Sequence, residues 1–224
     1  DTETAILAGD TLYAKAFELL SETGADPTNG IEAVRRLATT CIRICEGQAL
    51  DIEFERRSEV LPEEYLEMVE LKTAVLYGAA AATAATLMDA DDETVEAVYR
   101  YGIDSGRAFQ IQDDVLDLTV PSETLGKQRG SDLVENKETL ITLHARQQGV
   151  DVDGLVDATD VDAVSEAEID DAVAALEAAG SIDYAESKAR ELAANAKDHL
   201  GVLPDNEARS LLGEISEYLI TRGY

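Results

Sequence analysis

The nine residues Phe109-Gln110-Ile111-Gln112-Asp113-Asp114-Val115-Leu116-Asp117 carry the strongest chemical signal in this chain. Gln110, Asp113, Asp114 and Asp117 recur at offsets of three, four and seven residues, which on an α-helix is one stripe. Phe109, Val115 and Leu116 take the flanks toward a core. Three carboxylates on one helix face repel one another and call for cations among them. Hard oxygen donors without His or Cys suit Mg²⁺, which favours a few carboxylates together with substrate phosphates. In so acidic a chain, a DDxxD string could equally be a solvated face. The residues beyond it argue for chemistry. Leu125-Gly126-Lys127-Gln128-Arg129-Gly130-Ser131-Asp132 and Glu135-Asn136-Lys137-Glu138-Thr139 gather acidic and basic groups around a glycine-containing loop. Metal-bridged diphosphate recognition needs that mixture: carboxylates for the metal and ammonium groups for the phosphate oxygens.

Helices must position these groups. Apolar periodicity predicts helices over 2–22, with Ile6, Leu7, Leu12, Phe17, Leu19 and Leu20, and over 30–57, after breaks at Gly24, Pro27 and Asn29-Gly30. Pro62 suits the first turn of a helix running to about Met88. Its stretch 78–86 is nearly all small residues and implies close helix approach, with room beside a slender ligand as the alternative. Asp91-Asp92-Glu93 reads as a negatively charged helix start. The helix from Glu93 to about Leu118 carries the carboxylate stripe, and Pro121 and Gly126 mark the loop after it. Residues 132–148 look helical again, as do 166–179, 181–200 and 205–221. The Asp-rich stretch from Val150 to Ser165 reads as a solvated, mobile loop without chemistry. No strand pattern emerges, so the expected class is all-α, an antiparallel helix bundle forming a single domain over 1–224.

Composition narrows the function. Lys+Arg number 18 against 47 Asp+Glu, a formal charge of −29. Such a field repels nucleic-acid backbones and excludes nucleic acid as a partner. It also repels a diphosphate, so a diphosphate site must supply its own cations. Acidity spread along the whole chain suggests adaptation to molar salt, where the Debye length falls to roughly 3 Å; poor stability at low salt is expected. Only six lysines remain. Lys127 and Lys137 flank the loop after the carboxylates, whereas Lys188 and Lys197 read as solvated charges and Lys15 as either. Cys41 and Cys45 are expected to be small buried hydrophobes, and isolated His144 and His199 lend no support to zinc. Neither a signal peptide nor a long apolar run is seen, so a soluble, cytoplasmic protein with no membrane span is expected.

Together these residues carry a resemblance. Residues 106–139 resemble the second aspartate-rich region of the trans-isoprenyl diphosphate synthases, the polyprenyl synthetases. Three further segments agree in order: Ala5-Ile6-Leu7-Ala8-Gly9-Asp10, Gly47-Gln48-Ala49-Leu50-Asp51 and Lys72-Thr73-Ala74. The resemblance covers essentially the whole chain. It implies an isoprenoid-synthase helix bundle around a central cavity. The implied activity is prenyl transfer of the short-chain type: head-to-tail condensation of isopentenyl diphosphate with an allylic diphosphate (dimethylallyl, geranyl or farnesyl) to give geranylgeranyl or farnesyl diphosphate. By the same resemblance, Asp113, Asp114 and Asp117 bind Mg²⁺, and Lys72, Lys127 and Lys137 contact the diphosphate. Gln110 and Thr73 line the cavity near the reacting carbons. Gln48 and Asp51 support the metal–water network from the facing helix, and the helix at 2–22 contributes to a homodimer.

The chain also departs from the family. Its first aspartate-rich motif, the Arg-Arg-Gly after it, and an N-terminal Gly-Lys and Arg that bind isopentenyl diphosphate have no match here. The expectation is a longer enzyme lacking its N-terminal third, with the 224 residues alone not turning over. A catalytically silent helical subunit and a terpene cyclase are the alternatives.

Overall fold

Helix α5 (Asp92–Thr119) is the centre of the packing. The computed structural model describes residues 1–57, 59–126, 128–156 and 164–222. In chain order the remaining helices are α1 (Thr2–Ser21), α2 (Pro27–Phe54), α3 (Pro62–Val69), α4 (Val75–Leu87), α6 (Ser122–Leu125), α7 (Ser131–Val134), α8 (Leu140–Gln147), α9 (Glu166–Ala178), α10 (Ser181–His199) and α11 (Glu207–Thr221). The main partners of α5 are α4 and α10, while α1 packs on α2 and α2 on α4. There is no strand among the described residues. The class is all-α, as the periodicity predicts.

The helix starts follow capping chemistry. Asp91 accepts from Thr94 N at 2.7 Å at the head of α5, the role anticipated for that acidic cluster. Asp26 accepts from Thr28 N, and Pro27 occupies the first turn of α2. This start lies three residues ahead of the predicted one, because Pro27 opens the helix where the sequence pattern treats it as a breaker.

Small residues set the helix spacing. A Cβ at Gly102 would lie 2.5 Å from Gly78 Cα, and one at Gly106 2.6 Å from Ala74 Cα, so α4 and the turn just before it meet α5 almost backbone to backbone. Ala79, Ala82 and Thr86 are buried along the same contact. The small-residue stretch 78–86 is therefore a helix-packing surface. The main core forms beneath α5, where Ile111, Val115 and Leu118 meet Tyr65, Val69, Leu140, Ile141 and Leu176. Burial of these side chains is what holds the bundle together.

Four expectations need correction. The predicted helix 132–148 is two short helices, α7 and α8. Asn136 takes a left-handed φ of 52°, and a reciprocal Thr139–Thr142 capping box then restarts the helix. The helix from Pro62 to Met88 is interrupted at Glu70–Ala74 by a π-helical turn. The stretch from Val150 to Ser165 is not wholly solvated, since Val152 and Val164 are buried in the main core; its residues 157–163 lie outside the described residues. Finally, Cys41 is half-buried and Cys45 exposed. That face of α2 is only partly covered: Tyr13 of α1 lies against Cys41, and α1 itself buries no residue. No helix among the described residues is long and apolar enough to cross a membrane.

Candidate functional site

The π-helical turn is the first device that builds the site. Its extra residue per turn re-aims Lys72 and Thr73 relative to a regular helix. Glu70, at its start, pairs with Arg107 of α5 and with Arg43 of α2, anchoring the turn on both sides. Gly47 allows the turn to lie against α2, since a Cβ there would fall 2.3 Å from Lys72 N. That is the physical reason for glycine in the Gly47-Gln48-Ala49-Leu50-Asp51 segment. Lys72 Nζ thereby reaches Asp51 Oδ2 at 2.5 Å, and Gln48 Nε2 donates to the same oxygen at 3.3 Å.

A hydrogen-bonded chain continues onto α5. Thr73 Oγ1 donates to Gln110 Oε1 at 2.9 Å, and Gln110 Nε2 donates to Asp114 Oδ1 at 3.1 Å. Tyr65 Oη, fully buried on α3, donates to Asp114 Oδ2 at 2.5 Å. On the far wall, Lys137 Nζ lies 3.0 Å from Asp132 Oδ1 and 2.6 Å from Glu135 Oε2. These side chains enclose a cavity of about 90 Å³, lined by Asp51, Tyr65, Lys72, Thr73, Gln110, Asp114, Asp132 and Lys137 with Met68 and Val69 as apolar floor.

The cavity holds more negative charge than its surroundings accommodate. Asp114 is only 7 % exposed. Burial, reinforced by the charge of Asp132, pushes its carboxyl up to about 7, against the lowering effect of the Tyr65 and Gln110 hydrogen bonds. Tyr65 is likewise raised well above the ordinary phenol value, by burial and by Asp114. Burial works against the charge on Lys137, but its hydrogen bonds to Glu135 and Asp132 hold it above the usual lysine range.

The predicted acidic stripe divides three ways. At about 100° per residue, Asp113 and Asp114 lie at opposite edges of the stripe. Asp114 faces the cavity. Asp113 turns toward Arg222, just beyond α11, with which it pairs; the Arg222 guanidinium lies 3.9 Å from the centre of the Phe109 ring. Asp117 is 2 % exposed and accepts from Ser131 Oγ at 2.9 Å and from Asp132 N at 3.1 Å. Of the other predicted residues, Lys72, Thr73, Gln110, Asp51 and Lys137 share the cavity, and Gln48 reaches it only through Asp51. Lys127 lies outside the described residues. Sequence reasoning missed Tyr65 and Arg222. Tyr65 precedes Lys72 by seven residues, two helical turns, a spacing that could have flagged it; Arg222 lies 109 positions from Asp113 and carried no local signal.

Among the described residues, no group of three or more His, Cys, Asp or Glu side chains is gathered as a metal-holding set. The donors that line the cavity are nevertheless all hard oxygens apart from two lysines and one amide. An Asp114 that resists ionising beside Asp132 is a place where a divalent cation would relieve repulsion. Such a site fits a cation that takes its remaining ligands from water and phosphate.

The chain is similar to known proteins along its whole length. The family model for polyprenyl synthetase matches residues 1–176. A geranylfarnesyl diphosphate synthase of Natronomonas pharaonis is 63 % identical over all of this chain, which covers 64 % of that relative. The solved geranylgeranyl pyrophosphate synthetase of Geoglobus acetivorans superposes with a TM-score of 0.88 at 43 % identity, over 98 % of this chain and 68 % of its own. A polyprenyl synthase of Caulobacter crescentus CB15, solved in complex with calcium and isoprenyl diphosphate, matches with a TM-score of 0.86 at 31 % identity, over 98 % and 66 %. The chain thus spans about two thirds of the length of these relatives.

Proposed function

Since the chain belongs to the polyprenyl synthetase family, we propose that its protein condenses isopentenyl diphosphate head-to-tail with dimethylallyl, geranyl or farnesyl diphosphate. The proposed product is geranylgeranyl or farnesyl diphosphate, and the name of the Natronomonas relative extends the range to geranylfarnesyl diphosphate. The observation that carries the proposal is the convergence of Lys72 and Lys137 with Asp114 and Gln110 on one cavity, from elements far apart in sequence.

Mg²⁺, held by Asp114 and Asp113, would when bound neutralise the diphosphate and favour its departure. The protein's own groups do the rest. Lys72 and Lys137, each already paired with a carboxylate, offer ammonium donors where negative charge grows as the allylic C–O bond breaks. Lys127 is proposed for the same role. Thr73 and Gln110 hold each other in one orientation beside the reacting carbons, with Met68 and Val69 presenting hydrocarbon to the cation. The double bond of isopentenyl diphosphate supplies the electron pair for the new C–C bond, and the departing diphosphate accepts the proton then lost. Asp51 and Gln48 fix Lys72 from the α2 side.

We place this chemistry in one helical domain of a cytoplasmic protein. A homodimer formed through the exposed apolar face of α1 and α2 completes the proposal. The test is a product assay on the intact protein with Mg²⁺, labelled isopentenyl diphosphate and each allylic primer. Elongated prenyl diphosphate is expected; its absence with every primer would refute the proposal.

A further inference from the structure

We propose that Asp117 is a positioning residue for the cavity's far wall and not a metal ligand: its buried carboxylate pins the turn at Gly130–Asp132, and through it Asp132 and Lys137. The inference rests on reading the cavity as the diphosphate site. It departs from the expectation that all three carboxylates of the stripe serve a metal.

Three observations carry it. First, Asp117 lies one turn beyond Asp114 and does not line the cavity. Its two oxygens accept from the Ser131 hydroxyl and the Asp132 amide. Second, the same residue grips the turn with its backbone, since Gly130 N donates to Asp117 O at 2.8 Å. Gly130 has a φ of +73°, and a Cβ there would lie 2.6 Å from Ile169 Cδ1, so the turn is wedged between α5 and α9. Third, the path from Asp117 to the cavity is short. Asp132 takes the Asp117 bond through its amide, accepts Lys137 N at its carbonyl at 2.9 Å, and holds Lys137 Nζ with its carboxylate. A metal drawing on Asp117 would compete for the same oxygens that place Asp132 and, through it, Lys137.

Asn at position 117 can preserve this arrangement. Its Oδ1 accepts from the Asp132 amide, while its Nδ2 donates to the Ser131 oxygen, which is acceptor as well as donor. The experiment compares Asp117→Asn, Asp117→Ala, Ser131→Ala, Asp114→Asn and Asp113→Asn in the intact protein. It reads amide hydrogen exchange over 128–139, Mg²⁺ affinity by calorimetry with inorganic diphosphate, and steady-state kinetics. Asp117→Ala is expected to accelerate exchange at Asp132 and Lys137 on the order of tenfold or more, and to raise KM for the allylic diphosphate. Ser131→Ala should do the same more weakly, and serves if the alanine variant at 117 does not fold. Asp117→Asn should restore protection and KM and keep Mg²⁺ affinity within about twofold of the parent, whereas Asp114→Asn loses affinity without loosening the turn. The inference is overturned if Asp117→Asn weakens Mg²⁺ as strongly as Asp114→Asn does, or if neither Asp117→Ala nor Ser131→Ala changes exchange. If Asp113→Asn and Asp114→Asn both leave Mg²⁺ affinity unchanged, the metal reading fails, and the exchange data still decide the role of Asp117.

Discussion

The cavity and the outer face of α1 and α2 break the rules of an ordinary globular interior in opposite senses. In the cavity, charge is drawn away from water: Asp114 is buried and Asp132, Lys72 and Lys137 are half-buried around one small volume, each matched to a partner. On the outer face, hydrocarbon is exposed: Ile6, Leu7 and Leu12 are 60 %, 65 % and 70 % accessible. Tyr13, Ile42, Ile44 and Ala49 border an open groove of about 730 Å³ beside them. Excess buried charge is relieved by ions and phosphates; excess exposed hydrocarbon is relieved by another protein surface. One region therefore reads as a place for small charged ligands and the other as a place for a protein. Substitutions that damage one should spare the other.

The sharpest separation is expected from Lys72→Ala. Its ammonium group, 2.5 Å from Asp51, acts where the leaving diphosphate gains charge, so turnover should fall by about 10²–10³-fold, as for other preorganised electrostatic donors. Oligomeric state should not change. Retained turnover in a purified variant would remove Lys72 from the proposed mechanism. Lys72→Arg should recover little, since a planar fork does not replace a point charge held against one carboxylate oxygen.

The complementary break is Leu7→Glu with Ile42→Glu, two substitutions on the exposed face. Introducing carboxylates into an apolar contact should weaken self-association on the order of 100-fold by light scattering. Melting of the individual chain should move little, because neither side chain is buried. Unaltered association would place the contact between copies elsewhere.

A third test concerns the cavity's charge and is read by pH. The Asp114 carboxyl stands at about 7 in the folded protein, above the roughly 3.9 of an exposed aspartate. A raised carboxyl favours the folded state below the unfolded value, and that stability is lost as pH climbs through the folded one. From about pH 4 to 7 stability should therefore decline, and above 7 the full cost of ionised Asp114 remains, a few kcal/mol at most. Asp114→Asn should melt higher than the parent at pH 8 and converge with it near pH 4. Mg²⁺ with diphosphate should stabilise the parent more at pH 8 than at pH 5. A variant–parent difference that does not change with pH would show that Asp114 is ionised throughout, or exposed.

Much of this contrast was legible in the sequence, and the remainder was lost for definable reasons. The helix periodicity, the Asp91 cap and the close packing of 78–86 came from local chemistry, which sequence carries directly. The convergence of Lys72, Gln110 and Asp51 followed from a resemblance spread over four segments. Sequence could not divide the acidic stripe. Helical spacing puts Asp113, Asp114 and Asp117 on one side, but which neighbour meets each depends on α11, on the cavity and on the turn at Gly130. The Tyr65 contact to Asp114 spans 49 residues and the Arg222 contact to Asp113 spans 109. The break at Asn136 was invisible because Asn tolerates both helical and left-handed backbone. Cys45 was misjudged because an apolar helix face predicts burial only where something covers it.

The smallest predicted effect concerns the edge where cavity and surface meet. Asp113 already has a cation, Arg222, which also stacks over Phe109. A metal that uses Asp113 must therefore displace a guanidinium, losing the ion pair and the ring contact, the latter worth about 0.5–1 kcal/mol where partly exposed. Arg222→Gln removes that competitor while leaving the hydrogen bonds of Asp114 to Tyr65 and Gln110 intact. Mg²⁺ affinity measured with inorganic diphosphate should rise severalfold, and the gain should vanish in the Asp113→Asn background, because both changes act on one carboxylate. Were Mg²⁺ to bind more weakly in Arg222→Gln, the guanidinium would be a helper that orients Asp113 for the metal. Arg222 would then belong with the ligands of the cavity and not with the surface that competes for them.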